Sequence, residues 1–115
     1  MIGIRVMTDG RYDAADFREP STLKALQEAV GGYIEVVHPE GLPPHFCMVV
    51  NEEGRLLGLP INTRASLLFG EAIVGDAVIL KAGINEDGDP DLVGLDVEDV
   101  GIVLSRFFGK RGGQV

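Results

Sequence analysis

The residues best suited to bond-making chemistry flank a proline-rich loop in the first half of the chain. His38 and His45 bracket this loop and Glu40 lies between them; two imidazoles and a carboxylate are ligands that zinc accepts. Their spacing matches no strong zinc motif, so we interpret the histidines as exposed loop residues. Cys47 is a candidate nucleophile with a histidine as its base, but its apolar neighbours predict a buried, inert thiol.

An acidic loop nearer the C-terminus carries the oxygen ligands that a hard cation such as calcium prefers. Its candidate ligands alternate along the loop and end where an EF-hand places its last ligand: Asn85, Asp87, Asp89, Asp91 and Asp96. Pro90 stands where that loop needs glycine for its sharp turn, and Asp replaces the usual final Glu. We therefore predict a solvated acidic loop. We expect no metal, no cofactor and no catalytic residue in the chain.

The best candidate for a small-ligand site is the start of a predicted helix, where Asn62, Thr63 and Arg64 follow one another. Free backbone N–H groups and a guanidinium at such a position hold phosphate or carboxylate groups. Tyr33 and Glu35 are the residues that we expect nearby. The simpler interpretation is a plain helix cap followed by an exposed arginine, and the sequence agrees with both.

Eight elements must position these groups, and apolar spacing and turn residues predict them in the order β, α, β, β, β, α, β, α. The predicted strands cover residues 2–7, 33–37, 46–50, 55–57 and 77–80. The predicted helices cover about residues 22–30, 63–69 and 97–108, with glycines ending each one. Residues 11–19 fit either a short strand or an irregular connector.

This order predicts an α+β fold with a mainly antiparallel sheet and about three short helices packed on one side of it. Partial closure of the sheet into a barrel is an open alternative. We expect a single domain over residues 1–115, with residues 1–108 ordered and 109–115 a flexible tail. Residues 2–7 or 55–57 could present a strand edge for a homodimer.

The net charge of −8 argues against direct nucleic-acid binding, which requires Lys and Arg to neutralise phosphates. It fits a solvated acidic surface, or a surface that meets a basic partner. No apolar run approaches the ~20 residues of a membrane helix, and the first residues lack the pattern of a secretory signal. Cys47 is the only cysteine, so no internal disulfide can form. We expect a soluble, cytoplasmic protein.

Four segments in the middle of the chain have a specific order: LQEAVGGYIEVV at 26–37, VNEEG at 50–54, GLPINTRA at 58–65 and IVGDAVI at 73–79. They resemble a family of small bacterial and phage proteins known only as a domain of unknown function. The resemblance covers roughly residues 23–80. It implies a phage, prophage or mobile-element setting, where small accessory proteins often act on host machinery. It supplies no catalytic residue and no cofactor.

Three functional hypotheses follow from these observations. The first is a non-enzymatic accessory protein that binds a host protein or occupies a site meant for nucleic acid. The second is a protein that binds a small, nucleotide-like anion at the predicted helix start. The third, an enzyme built on the loop histidines, Glu40 or Glu35, has the least support.

Overall fold

Strands and helices alternate along the chain in the order β-β-α-β-β-α-β-β-α. The structure is a computed structural model that describes residues 1–18 and 21–112, with side chains as far as Phe107. The elements are β1 (Ile2–Val6), β2 (Tyr12–Asp16), α1 (Thr22–Val30), β3 (Ile34–Val37), β4 (Phe46–Asn51), α2 (Thr63–Phe69), β5 (Ala77–Ile84), β6 (Pro90–Val93) and α3 (Val97–Gly112).

The strands form one open, antiparallel sheet around β5. Its strand order is β2-β1-β5-β4-β3, and β6 also pairs with β5. Ile79 of β5 lies between Ile4 and Met48, whereas Lys81, further along β5, lies between Phe46 and Val93. One edge of β5 therefore pairs with β4, and the other edge pairs first with β1 and then, further along, with β6. The predicted antiparallel α+β fold is confirmed, and the sheet does not close into a barrel.

Helices cover both faces of this sheet, so the prediction that they pack on one side is wrong. Alternate residues of β4 and β5 are buried against different helices, since successive strand residues point to opposite faces. The core between the sheet and helices α2 and α3 includes Phe46, Met48, Val50, Ala65, Leu68, Ile79, Val103 and Phe107. The core between the sheet and α1 includes Phe17, Leu26, Val30, Val49, Val78 and Leu80.

The strand predicted at residues 55–57 is wrong, because this segment bonds to itself and not to a neighbouring strand. The Gly54 N–H donates to Asn51 O at 3.2 Å and the Leu57 N–H donates to Glu53 O at 2.9 Å. Gly58 has φ +67°, a backbone conformation that glycine adopts without strain. Residues 52–58 are therefore a run of turns, and they offer no strand edge for a dimer.

Of the remaining strands, the sequence left one open and did not predict another. The open choice for residues 11–19 resolves as β2, which pairs with β1. Since β1 lies between β2 and β5, it has no free edge for a dimer. The acidic loop is the turn of a hairpin that leads into β6, and the Asn85 side chain accepts from the N–H groups of Asp87 and Asp89.

The last helix begins at a cap that the sequence predicts correctly. The Asp99 N–H donates to the Asp96 carboxylate at 2.8 Å, and acidic residues occupy the first turn. The helix continues past Gly109 to Gly112; residues 113–115 of the predicted tail lie outside the described residues. No helix in the described part of the chain is long and apolar enough to cross a membrane.

Candidate functional site

Asn62 holds the start of α2 against the sheet. Its side-chain oxygen accepts from the Ala65 N–H at 3.1 Å, as an N-cap does. Its side-chain N–H groups donate to Val6 O at 2.9 Å and Gly75 O at 3.0 Å. The Asn62 side chain is fully buried, so it makes its hydrogen bonds within the protein. Thr63, the next residue, is exposed.

Arg64 is held between three elements that are distant in sequence. Its Nε donates to Gly10 O, in the turn between β1 and β2, at 2.8 Å. Its guanidinium carbon lies 4.9 Å from the centre of the Tyr12 ring and 5.3 Å from that of Phe107. These are cation–π distances, at which an arginine is held by the ring faces. Arg64 is therefore a positioned, half-buried side chain and not the freely exposed arginine of a plain cap.

Tyr33 and Glu35 do not converge with Arg64. Arg64 contacts Tyr12 of β2, which forms one edge of the sheet, whereas Glu35 lies in β3 at the other edge. Tyr33 precedes β3 and is 65% exposed. The five residues predicted to form one ligand site thus occupy two separate places, and each place has its own concavity.

The concavity beside β3 is a groove of about 260 Å³, here called the acidic groove. Its lining residues include Glu35, Val37, Val50, Glu52, Glu53, Arg55, Leu56, Phe69, Ile73 and Val74. Asn51 fixes the turn that carries two of the glutamates, since it accepts from the Glu53 N–H at 2.8 Å and donates to Val30 O at 3.0 Å. The groove therefore combines an apolar floor with three carboxylates and one guanidinium.

The concavity beside Arg64 is a pocket of about 210 Å³ between α2 and α3, here called the arginine pocket. It is lined by Gly41, Arg64, Leu67, Leu68, Arg106 and Phe107. Gly41 joins the two helices, because its N–H donates to Leu68 O at 2.8 Å and its oxygen accepts from Arg106 Nε at 3.0 Å. Arg106 was not predicted as a site residue, because its only signal in the sequence was a position on the last predicted helix.

A charged cluster joins α3 to β5 near the loop histidines. Lys81 Nζ lies 2.6 Å from Asp99 and 3.7 Å from Asp96, and His45 Nε2 lies 3.5 Å from Asp99. Burial acts to raise the pKa of Asp99, but hydrogen bonds from Lys81 and from the Asp96 backbone outweigh it and hold the pKa at about 2. The carboxylate is therefore ionised at neutral pH, and the cluster anchors the helix.

The cysteine has a histidine beside it, but not in a cleft. Cys47 Sγ lies 3.9 Å from His38 Nδ1, and neither residue lines the acidic groove or the arginine pocket. The Cys47 side chain is buried, and burial raises the pKa of its thiol. A protonated, buried thiol is a poor nucleophile, so the interpretation of Cys47 as an inert core residue agrees with its surroundings.

Both loop histidines are exposed, as predicted, since His38 and His45 lie at the two ends of the proline loop. Among residues 1–18 and 21–112, no group of three or more His, Cys, Asp or Glu side chains is placed to hold a metal ion.

Comparison with known proteins defines the family. The model of a Domain of unknown function (DUF3846) matches residues 2–103, and the chain belongs to this family. The match extends beyond the segment recognised from sequence motifs, because it includes β1 and the first part of α3. No curated protein matches the sequence.

A crystal structure of small RNA methyltransferase HEN1 contains a region of similar fold. The TM-score is 0.60 at 16% sequence identity, and the match covers 90% of this chain but only 16% of that chain. This chain thus corresponds to a small part of that much longer protein. At this identity the likeness concerns the fold alone, because one fold carries many unrelated functions.

Proposed function

We propose that this chain is a non-enzymatic binding module that holds a basic segment of another protein in the acidic groove. The observation that carries the proposal is the position of the groove beside the free edge of β3. The family resemblance to small bacterial and phage proteins supports a phage or mobile-element setting. In that setting the partner is a host protein of the cytoplasm.

The free edge of β3 supplies backbone groups for the partner. Among the described strands, β3 pairs only with β4. The Glu52 N–H donates to Tyr33 O at 2.8 Å, and hydrogen bonding alternates along antiparallel strands. Ile34 and Val36 therefore turn their N–H and C=O groups away from β4. An extended peptide can add to such an edge as a further strand.

The groove supplies the preference for a basic partner. Glu35, Glu52 and Glu53 outnumber Arg55, whose guanidinium bonds to the Ala72 carbonyl oxygen at 3.3 Å. The local charge is thus −2, and it forms part of the net charge of −8 of the chain. Such a field attracts Lys and Arg and raises the rate of encounter with them.

Apolar contacts supply the rest of the binding energy. Val37, Val50 and Ile73 form part of the floor of the groove, and Leu56 at its rim is 87% exposed. A partner that covers Leu56 and this floor would remove their apolar surface from water, which favours binding. A segment that alternates basic and apolar residues would satisfy the groove and the strand edge together.

The test is an NMR titration of the full chain with a peptide of alternating Lys and Val residues, and with a Glu–Val peptide as the charge control. We expect the Lys–Val peptide to shift amide signals in residues 34–37 and 52–56 and the Glu–Val peptide to leave them unchanged. The double variant Glu52→Gln/Glu53→Gln should weaken binding by roughly 2- to 30-fold, the loss of two surface charge contacts.

The matched control is Glu86→Gln/Asp87→Asn, which removes the same charge from the exposed turn between β5 and β6. It should bind the Lys–Val peptide like the original chain. Equal weakening by both double variants would show a response to net charge alone and would refute the groove. The proposal of a host protein as the partner has its own test. It is refuted if affinity capture from bacterial lysate recovers no protein at low and moderate salt.

A further inference from the structure

We propose that the arginine pocket is a binding site for a small organic oxyanion, with a phosphate or carboxylate group on the two guanidiniums and an apolar body against the helices. This site is independent of the acidic groove. It joins Arg64 of α2 to Arg106 of α3, residues that are distant in sequence but line one concavity.

Arg64 and Arg106 differ in their pairing from three other arginines of the chain. The chain has 18 acidic and 10 basic residues, so carboxylate partners are plentiful. Three other arginines use them: Arg5 with Asp13, Arg11 with Asp9 and Arg18 with Asp16, at 2.9, 2.7 and 3.1 Å, whereas Arg55 bonds to a backbone carbonyl. Within the described residues, neither Arg64 nor Arg106 has a carboxylate within 4.0 Å, and no acidic side chain lines the pocket.

Both guanidiniums of the pocket are held at their Nε atoms. Arg64 and Arg106 each donate through Nε to a backbone carbonyl, at 2.8 and 3.0 Å. The terminal Nη groups have no hydrogen-bond partner among the described residues. A guanidinium fixed at Nε keeps its other N–H donors in a rigid fork, which suits the paired oxygens of a carboxylate or phosphate.

The two guanidinium charges lie beside apolar side chains. Leu67, Leu68 and Phe107 form apolar walls around them, and apolar walls screen charge less than water does. Two cations beside one concavity repel each other, and an anion between them removes that repulsion. Leu67 is 69% exposed, so the apolar wall is open to a ligand. An oxyanion with an apolar body matches both surfaces.

The test is an NMR titration of the full chain with phenyl phosphate, and with benzoate, inorganic phosphate and benzyl alcohol as separate probes. We expect phenyl phosphate to bind with a Kd on the order of 1 mM, the affinity that a ligand of its size commonly reaches. Shifts should concentrate at residues 64–68 and at Arg106 and Phe107. Inorganic phosphate should bind about tenfold more weakly, because it lacks the apolar body. Benzoate distinguishes a carboxylate site from a phosphate site by its affinity relative to phenyl phosphate.

The decisive variant is Arg106→Gln, since Arg106 is exposed and its loss leaves the core intact. It should weaken phenyl phosphate binding at least fivefold, whereas Arg18→Gln removes the same charge elsewhere and should leave it unchanged. Unchanged binding to Arg106→Gln would overturn the proposal, as would equal shifts with benzyl alcohol. Inorganic phosphate binding as tightly as phenyl phosphate would overturn the assignment of an apolar body to the ligand.

Discussion

Replacement of Asn62 by alanine should destabilise the protein far more than the loss of an ordinary helix cap. The variant removes the acceptor of the Ala65 N–H and the donors to Val6 O and Gly75 O. The cap contributes about 1 kcal/mol, and each of the two buried carbonyls loses its partner at a cost of roughly 1–2 kcal/mol. The expected total is about 3–5 kcal/mol, a large part of the 5–15 kcal/mol that stabilises a typical domain.

Urea unfolding followed by circular dichroism measures this loss, and Ser21→Ala is the matched control. Ser21 also caps a helix, since it accepts from the Lys24 N–H at 3.2 Å, but that contact is exposed. The control should lose about 0.5–1 kcal/mol. Asn62→Asp keeps the cap but directs a carboxylate at two carbonyl oxygens, so it should be at least as unstable as Asn62→Ala. An Asn62→Ala loss no larger than that of Ser21→Ala would refute the reasoning.

Two further predictions concern titratable groups. The pKa of Asp99 is held at about 2 by Lys81 and the Asp96 backbone, below the ordinary value of about 3.9. The contribution of this carboxylate to the free energy of unfolding, on the order of 2 kcal/mol, should be present above pH ~4 and lost as the pH falls towards 2. In the variant Asp99→Asn, the melting temperature should therefore depend less on pH over this range. An unchanged pH dependence would contradict the assignment. Burial raises the pKa of the Cys47 thiol, so iodoacetamide at pH 8 should label it only after urea unfolds the chain; rapid labelling of the folded protein would show a reactive thiol.

The acidic groove and the arginine pocket give an acidic protein two surfaces of opposite character. Glu35 and Tyr33 lie at the β3 edge, whereas Arg64 reaches the β1–β2 turn at the other edge. A basic peptide and a small oxyanion should therefore bind without competing for the same residues. NMR shifts at the two sets of residues separate the proposals, and either one can fail without the other.

Local features of the chain were predictable because short-range chemistry determines them. Asn62 and Ser21 cap helices wherever a helix follows them, and Gly31 accepts the left-handed conformation that ends α1 at φ +83°. The apolar stretches at 46–50 and 77–80 had to be buried, and they are the centre of the sheet. The antiparallel α+β class followed from the short connections between these elements.

The candidate site was only half predictable. Arg64 was recognised from its place at a helix start, but its partners Gly10, Tyr12 and Phe107 come from distant segments. Nothing local to Arg106 indicates that α3 brings it beside Arg64. Likewise, the strand predicted at residues 55–57 had suitable residues, but β3 and β5 already occupy both edges of β4, and the backbone of this segment bonded locally.

Net charge thus follows from composition, whereas the helix caps and the apolar character of β4 and β5 depend on residues a few positions apart. The amino-acid sequence alone settles all three. The tertiary structure decided that helices cover both faces, that β2 and β6 join the sheet, and that the glutamates of the acidic groove and the arginines of the arginine pocket lie apart. The physical reason is that these contacts join distant segments. They form only when the packing of both faces and the pairing of all strands are satisfied together.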